Sequence, residues 1–293
     1  MKITSRPVIV GLSGGLGNQL FQYATGRALS LKLGVDLVLD TSWFEGRTDR
    51  LYALDPFSIE AQTYSGPTIL SSWMKRLECR LARRWANKRF GTPIYREPHF
   101  QFDTTFPLLD KPVYLEGFWQ SEQYFLKYKE VITKELRLKS NVSEAYHLLE
   151  KKIQSTDAIC VHIRRGDYVT NPIALELHGL CSLDYVYQGV KEASLGLMNP
   201  HCFIFSDDLN WVRKNLLFNF PMTLVEVASS NEAHIDLSLM QQCKNFVIAN
   251  SSLSWWGAWL APHHTKHIIA PLKWFASGEK DTKDLIPSHW IRI

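Results

Sequence analysis

The sequence lacks the features that mark exported and membrane-spanning proteins. It contains no apolar run long enough to cross a bilayer, and its first residues do not have the apolar length of a signal peptide. The five cysteines are odd in number, form no Cys-x-x-Cys pair and lie mostly in apolar segments. Such cysteines are typical of reduced core residues, so we expect a cytoplasmic protein without a disulfide framework.

A strong excess of charge of one sign is also missing. The 33 basic and 29 acidic residues leave a net charge of +4, and without a long basic tail this gives no case for a nucleic-acid partner. The chain is 45% hydrophobic and 21% charged, as folded proteins are, and its 293 residues suit two domains of ordinary size. Core packing explains most of the ten tryptophans, although aromatic faces are also platforms for sugar rings.

A loop with four glycines follows the first short apolar strand, Val8 to Val10. Apolar residues at three- and four-residue spacing predict a helix that stops at Gly34, and Val35 to Leu39 is predicted as the next strand of a βαβ unit. The loop lacks the third glycine of the dinucleotide fingerprint and the Gly-Lys-Ser/Thr ending of a P-loop. Glycine backbone before a helix can still cradle an anion, or it can simply form a tight turn. The residues predicted to contact such a ligand are Gly15, Gly17 and Asn18.

An arginine turn is the feature around which the chain is organised. An apolar strand from Ala158 to Ile163, interrupted by His162, runs directly into Arg164 and Arg165. Ligands of open α/β sheets bind beyond the carboxyl ends of the strands, and arginine forks suit phosphate oxygens. The turn therefore predicts a phosphate site. The alternative is that both arginines only pair with carboxylates such as Asp167.

Two further strand ends in the second half carry polar clusters. A strand from Cys202 to Phe205 leads to Asp207 and Asp208, either of which could simply cap the next helix. A strand from Phe246 to Ala249 leads to a serine-rich turn before a helix, and N-capping accounts for one serine more easily than for three. The residues of this turn predicted to bind phosphate are Ser251, Ser252 and Ser254.

The first half contains one more polar strand end. Val113 to Leu115 is predicted as a strand that ends at Glu116, and a helix is predicted from Tyr124 to Leu136. A polar stretch follows that helix and indicates a domain boundary, which gives predicted lobes of residues 1–140 and 141–293.

Residues 73–90 predict a basic amphipathic helix, because leucine and tryptophan repeat every four residues among seven lysines and arginines. Its apolar face either packs on the core or lies on a membrane surface. We favour core packing, and keep peripheral contact with the anionic inner membrane as the second option.

Four motifs, taken together, resemble those of the bacterial α-1,2-fucosyltransferases of glycosyltransferase family 11. In the family's order they are Gly14-Gly-Leu-Gly-Asn-Gln19, His162-x-Arg-Arg-Gly-Asp167, Phe205-Ser-Asp-Asp208 and Asn250-Ser-Ser-Leu-Ser-Trp-Trp-Gly-Ala-Trp259. The resemblance implies an α/β GT-B-like fold in which two Rossmann-like lobes hold the donor in their cleft, with the N-terminal lobe on the acceptor side. It also implies an inverting enzyme that needs no metal or other cofactor. Such an enzyme transfers L-fucose from GDP-β-L-fucose to the 2-hydroxyl of a terminal galactose on an O-antigen or similar glycan.

The resemblance implies roles for single residues as well. Arg164 and Arg165 would bind the diphosphate, His162 would lie near the nucleoside, and Asp207 or Asp208 would face the guanosine. The remaining donor contacts would come from the serine turn and the glycine loop, through Asn250, Ser251, Ser252, Ser254, Gly15, Gly17 and Asn18.

Residue chemistry supports the same mechanism. Breaking a sugar–diphosphate bond builds negative charge on the bridging oxygen, and two arginines can supply the counter-charge that a metal supplies elsewhere. Inversion places the acceptor hydroxyl on the opposite face of the sugar from the diphosphate. Asp167 and Glu116 are the candidate bases for that hydroxyl.

Three other functions stay open. A metal-dependent GT-A enzyme would use an Asp-x-Asp motif, which the adjacent pair Asp207 and Asp208 does not form. A non-catalytic sugar-binding protein would explain the aromatic residues but not the arginine and serine sites. A fucosyltransferase acting on a protein would share the arginine turn.

Overall fold

The computed structural model describes residues 6–65, 91–139, 142–226, 232–263, 266–278 and 280–293. The predicted basic helix at residues 73–90 lies outside these ranges, as does Cys79. The chain divides into two compact units. Unit 1 comprises Met1–Lys139 and Lys283–Leu285, and unit 2 comprises Ser140–Thr282 and Ile286–Ile293.

Unit 1 is built on a five-stranded sheet of order β3-β2-β1-β5-β4, in which all the pairings are parallel. Its strands are β1 (Val8–Gly11), β2 (Leu37–Asp40), β3 (Gln62–Tyr64), β4 (Ile94–Arg96) and β5 (Tyr114–Glu116). Its α-helices in the described ranges are α1 (Leu16–Leu33) and α2 (Lys129–Glu135). Short 3₁₀ turns cover Ser42–Phe44, Phe106–Leu108, Glu122–Tyr124 and Leu126–Tyr128.

Helix α1 follows the glycine loop and ends as predicted. Gly34 adopts φ 65° at its C-cap, a left-handed conformation that glycine reaches without a Cβ penalty, and its N–H donates to the Ser30 carbonyl. Thirteen of the 18 residues of α1 are buried, so the helix is enclosed on more than the single apolar face that the spacing predicted. The strand–helix–strand order β1-α1-β2 is the predicted βαβ unit.

Unit 2 contains a six-stranded sheet of order β11-β10-β9-β6-β7-β8, again with parallel pairings throughout. Its strands are β6 (Asp157–Ile163), β7 (Pro200–Ser206), β8 (Met222–Leu224), β9 (Asn245–Val247), β10 (Ile268–Ala270) and β11 (Ile291–Arg292). Its helices in the described ranges are α3 (Glu144–Gln154), α4 (Gly166–Thr170), α5 (Pro172–His178), α6 (Leu183–Ala193), α7 (Leu209–Asn215), α8 (Ala233–Met240) and α9 (Ser252–Leu260).

Strand β6 lies inside the unit 2 sheet, and both of its faces are buried as its apolar sequence predicts. Ile159, Val161 and Ile163 belong to a core cluster with residues of α6 and α7. Because side chains alternate along a strand, Cys160 and His162 point to the opposite face, where α3 packs on β6 and α8 packs on α3.

Several sequence predictions need correction. The helix predicted from Tyr124 to Leu136 is wrong in its first part, because two 3₁₀ turns precede α2, which begins only at Lys129. Tyr124 is held instead in an aromatic cluster with Phe106 and Trp119. The predicted strand from Val35 to Leu39 begins two residues later, at Leu37.

A short segment late in the chain belongs to unit 1. Asp284 accepts the backbone N–H of Phe102 on Oδ2 at 3.1 Å and a side-chain N–H of Gln123 on Oδ1 at 3.2 Å. These two bonds hold Lys283–Leu285 on unit 1, whereas the residues on either side belong to unit 2.

Within the described ranges, no helix combines the length and apolar character that crossing a membrane requires.

Candidate functional site

The carboxyl edge of the unit 2 sheet gathers three of the predicted polar turns. Strand β6 pairs with β7 on one side and with β9 on the other, and Ile163 lies level with Ser206 at the strand ends. The arginine turn after β6, the aspartate turn after β7 and the serine turn after β9 are therefore neighbours, as ligand sites of parallel sheets require.

Arg164 is held by two carboxylates. Its Nη1 lies 2.8 Å from Asp207 Oδ2, and its Nη2 lies 2.5 Å from Asp167 Oδ1. A guanidinium has five N–H donors, so these two contacts leave donors that can bind a further acceptor. The pairing of Arg164 with carboxylates, which was the alternative to a phosphate site, is present. It fixes the position of the guanidinium and leaves some of its N–H groups available.

Arg165 is held from three directions. Its backbone N–H donates to Asp207 Oδ1 at 2.8 Å, and its Nε donates to Asp208 Oδ2 at 3.2 Å. Its guanidinium lies over the Trp211 ring at 3.9 Å from the centroid, which is a cation–π contact. Asp208 also caps α7 by accepting the Trp211 N–H at 3.0 Å. Helix capping, one reading of the aspartate turn, therefore applies to Asp208.

Gly166 allows Asp207 to approach the arginine turn. A Cβ atom at this position would lie 2.4 Å from Asp207 Oδ2, closer than real Cβ contacts come. The glycine in the motif is thus explained by close approach of a carboxylate rather than by backbone conformation.

Tyr168 and His178 connect the arginine turn to the serine turn. Arg164 lies over the Tyr168 ring at 5.4 Å, and that ring stacks on His178 with centroids 4.6 Å apart. The Tyr168 hydroxyl donates to the Asn250 carbonyl at 3.2 Å, and Asn250 Nδ2 donates to the His178 carbonyl at 2.8 Å. Asn250 thus has a structural role in joining the two turns.

The serine turn leaves the start of α9 without a side-chain cap. Ser251 is the N-cap residue, and its hydroxyl makes no capping hydrogen bond. Ser254 is buried and donates to the carbonyls of Ala249 and Ser251, so its hydroxyl is engaged within the turn. Ser252, in the first turn of α9, is only partly buried. The first N–H groups of a helix are unpaired donors with a positive dipole end, which suits an anion.

His162 is a buried neutral imidazole at this edge. Burial lowers the pKa of His162 to about 4, Arg164 adds to the decrease and Asp207 opposes it. Its Nδ1 is buried without a hydrogen-bond partner among the described residues. Buried polar atoms without a hydrogen-bond partner are rare in folded proteins, which singles out His162 among the residues of this edge.

Asp236 is a half-buried carboxylate with a shifted pKa that the motifs did not indicate. It lies on α8, close enough to Cys160 to act on that thiol electrostatically, so it is on the same sheet face as His162. Burial raises the pKa of Asp236 to about 7. A single carboxylate among Ile235, Leu237 and Leu239 was the sequence signal that could have found it.

The predicted residues of unit 1 lie at the carboxyl edge of its own sheet. Gly15 is the N-cap of α1, Gly17 is buried in its first turn, and Asn18 Oδ1 accepts a hydrogen bond from Gln120 at 2.8 Å. The glycine loop is shaped by two buried glutamines that the sequence reasoning missed. Gln19 binds the Gly14 carbonyl, and Gln22 binds Ser13 and the Gly117 carbonyl.

Glu116 lines a pocket of about 210 Å³ at the same edge of unit 1. Its Oε2 accepts from Arg96 Nε at 3.0 Å. The two candidate bases, Glu116 and Asp167, therefore each pair with an arginine. Their proposed role as a base stays a prediction.

Most of the tryptophans pack in the interior, as expected. Within the described ranges, the buried ones are Trp119, Trp255, Trp256, Trp259, Trp274 and Trp290. The four described cysteines carry free thiols. In the ranges that the structure describes, no group of three or more His, Cys, Asp and Glu side chains is placed to hold a metal ion.

Two parallel α/β sheets, with guanidinium groups and an uncapped helix start at the carboxyl edge of one of them, are typical of enzymes whose substrates carry phosphate. The family model described as "Glycosyl transferase family 11" matches residues 9–293. The chain belongs to glycosyltransferase family 11 and is a glycosyltransferase, which confirms the resemblance found in the four motifs.

Two relatives match nearly their whole length. The chain is 34% identical over 293 residues to an alpha-1,2-colitosyltransferase of Escherichia coli, with 98% of each chain covered. It is 33% identical over 301 residues to the O-antigen biosynthesis glycosyltransferase WbnK of Escherichia coli, with 96% of this chain and 99% of the relative covered. A galactoside 2-alpha-L-fucosyltransferase of Caenorhabditis elegans is 29% identical over 183 residues, which cover 57% of this chain and 48% of that protein.

Solved structures support the predicted fold class. The NodZ alpha-1,6-fucosyltransferase soaked with GDP-fucose superimposes with a TM-score of 0.51 at 17% identity, covering 88% of this chain and 94% of that chain. The fucosyltransferase NodZ from Bradyrhizobium gives the same TM-score and coverage at 16% identity. The fold is therefore GT-B-like, with two parallel α/β sheets.

Proposed function

We propose that the chain transfers L-fucose, with inversion, from GDP-β-L-fucose to the 2-hydroxyl of a terminal galactose on a cell-surface polysaccharide precursor. The observation that carries the proposal is the pair of arginines held at the carboxyl edge of unit 2 by Asp207 and its neighbours. Two relatives support the proposal, because an O-antigen biosynthesis glycosyltransferase and a galactoside 2-alpha-L-fucosyltransferase match the chain.

The arginines would bind the diphosphate and stabilise its departure. Two guanidiniums meet three carboxylates here, so an incoming diphosphate binds best if one carboxylate turns away and its arginine donors bind the phosphate oxygens as well. Asp167 is the most exposed of the three, at 37% of its side chain, and its release leaves Asp207 and Asp208 holding Arg164 and Arg165. Donors that are fixed before the reaction stabilise the charge that develops on the leaving oxygen without reorganising.

The bond changes are those of a single displacement. The bond from fucose C1 to the β-phosphate oxygen breaks, and its electron pair leaves with GDP. The acceptor O2 forms the new bond to C1 from the opposite face and loses its proton to a base or to solvent. The uncapped start of α9, with Ser252 in its first turn, would bind the same phosphates.

The test is transfer from GDP-fucose to a small panel of galactosides, with and without a chelator, followed by determination of the linkage. We expect an α-1,2-fucosyl product whose yield the chelator does not change. Arg164→Ala and Arg165→Ala should each fold normally and lose about a hundred-fold or more in transfer, as the removal of one transition-state donor does. Wild-type turnover by both variants would contradict the site assignment.

A second donor has support from one relative. The chain is 34% identical to an alpha-1,2-colitosyltransferase, and colitose is the 3-deoxy relative of L-fucose. The same panel should therefore be run with a GDP-linked colitosyl donor. If kcat/KM is higher with that donor than with GDP-fucose, the transferred sugar in the proposal becomes colitose. The proposed linkage to the 2-hydroxyl of galactose stays the same.

A further inference from the structure

The pocket at the carboxyl edge of unit 1 is built by the ends of β1, β2 and β5. Its volume of about 210 Å³ is below the roughly 300–1,000 Å³ of pockets that enclose drug-sized ligands, and suits a single sugar ring. All of its lining residues belong to unit 1. Its ligand chemistry can be worked out from three features of the wall.

The first feature is a buried carboxylate. Asp40 ends β2 with 4% of its surface exposed, accepts the Tyr114 hydroxyl on Oδ2 at 2.9 Å, and accepts the Ser42 N–H on Oδ1 at 3.0 Å. A carboxylate has about four acceptor sites, so two remain for ligand hydroxyls. Glu116, which pairs with Arg96, is also in the wall, and the lining residues include no lysine or arginine, so the pocket suits hydroxyl groups better than a phosphate.

The second feature is an aromatic wall. Trp43 is half-buried beside the pocket, and Phe118, 40% exposed, lies on its rim. The Arg47 guanidinium lies 3.9 Å from the Trp43 ring centroid and holds the indole in place. Aromatic rings beside hydroxyl-binding groups fit the mixed apolar and polar surface of a sugar ring.

The third feature is strain in the rim. Trp119, next to Phe118, has φ 58°, and it is the one non-glycine residue with positive φ in the described ranges. Glu97 accepts the N–H groups of Phe118 at 2.8 Å and of Trp119 at 2.9 Å, and thereby enforces this conformation. A bulky residue in the left-handed region costs on the order of 1–3 kcal/mol, and such strain clusters at ligand sites.

We infer that this pocket is a hexose-binding subsite for the acceptor glycan. Asp40 binds sugar hydroxyls, and Trp43 and Phe118 contact the apolar face of the ring. This inference rests on the proposed function for its choice of sugar, since the acceptor there is a galactoside. It places acceptor recognition on residues outside all four family motifs.

The test uses the full chain and the variants Asp40→Asn and Trp43→Ala. Trp43 is only half-buried, so its truncation leaves the fold intact if the buried Asp40 proves less tolerant. Tyr128→Ala is the matched control, because Tyr128 is another half-buried aromatic residue of unit 1 that does not line the pocket. Each protein is assayed for the KM of methyl β-galactoside and the KM of GDP-fucose, and for galactoside binding by ligand-observed NMR.

We expect both pocket variants to raise the acceptor KM by about ten-fold or more, the change that one lost charged hydrogen bond or ring contact produces, without raising the donor KM. The control should match the wild type. An unchanged acceptor KM in both variants overturns the inference, and so does a rise confined to the donor KM, which would assign the pocket to the nucleotide.

A wild-type protein that transfers no sugar from GDP-fucose contradicts the proposed function instead. The NMR titration then decides the inference alone. Galactoside binding that Asp40→Asn and Trp43→Ala abolish supports the subsite, and binding that neither variant changes refutes it.

Discussion

The substitution Gly166→Ala tests whether Asp207 positions the two arginines. The added Cβ would lie 2.4 Å from Asp207 Oδ2 and 2.9 Å from its Cγ. The carboxylate is the end of a short flexible side chain, so we expect it to rotate away while the backbone stays in place. Rotation breaks its 2.8 Å contact with Arg164 Nη1 and the 2.8 Å bond from the Arg165 N–H.

Stability and ligand affinity should respond to this change by different amounts. The side chains of Arg164 and Asp207 are each 26% exposed, so solvent screens their pairing and its loss costs at most about 1 kcal/mol of folding free energy. The bond from the Arg165 N–H is also exposed, so water replaces Asp207 there and the loss adds about 1 kcal/mol at most. A misplaced arginine loses hydrogen bonds to phosphate, and a hydrogen bond to a charged group contributes about 1.5–3 kcal/mol. That loss corresponds to a roughly ten- to hundred-fold higher Kd for GDP.

Calorimetric titration with GDP and thermal unfolding by circular dichroism measure the two quantities. Arg164→Ala is the positive reference. Thr170→Ala is the control, because its exposed hydroxyl donates to the Gly166 carbonyl at 3.2 Å within the same short helix. A wild-type Kd for Gly166→Ala, alongside weakened binding by Arg164→Ala, would refute the positioning role of Asp207. Wild-type affinity in both would refute the phosphate site.

Two further predictions concern stability. The pKa of His162 is lowered from 6.5 to about 4 in the folded chain, so its contribution to stability is present above pH 6.5 and is lost as the pH falls toward 4. The pKa of Asp236 is raised from 3.8 to about 7, so its contribution is lost as the pH rises toward 7. In urea unfolding, the stability of Asp236→Asn relative to the wild type should therefore increase as the pH rises from about 5 to about 8. The stability of His162→Gln relative to the wild type should decrease as the pH rises from about 5 to about 6.5. Profiles parallel to that of the wild type would contradict both pKa shifts. Glu97→Ala should lose about 1–3 kcal/mol, because the N–H groups of Phe118 and Trp119 lose their acceptor, and an unchanged unfolding free energy would show that Glu97 does not hold the rim.

The polar strand ends of unit 2 were predictable because they depend on local sequence. An apolar strand that runs into Arg164 and Arg165 can be recognised without any knowledge of distant residues, and the parallel pairing of β6, β7 and β9 then brings its neighbours to the same edge. The helix-capping option for the aspartate turn was also local, and Asp208 caps α7. Asp207 could not be assigned in this way, because its partners lie 42 or more residues earlier in the chain.

The acidic pocket of unit 1 was beyond sequence reasoning for the same physical reason. Asp40 looks like the ordinary end of an apolar strand until Tyr114, 74 residues later, donates to it. Gln22 lies in a helical pattern, yet it binds the Gly117 carbonyl 95 residues away. Of the two carboxylates in the wall, only Glu116 was predicted, because a polar and aromatic segment follows its strand in the sequence.

Lys283–Leu285 belongs to unit 1 but lies near the end of the sequence, and this affects folding during synthesis. During synthesis, unit 1 emerges first but lacks Asp284, so the Phe102 N–H and the Gln123 amide have no partner there until nearly all of unit 2 has been translated. A polypeptide that ends at residue 139 is therefore an unfinished version of unit 1. Completion of unit 1 is therefore coupled to translation of unit 2. Expressing the units separately would require attaching Lys283–Leu285 to unit 1, because a single cut in the chain does not separate them.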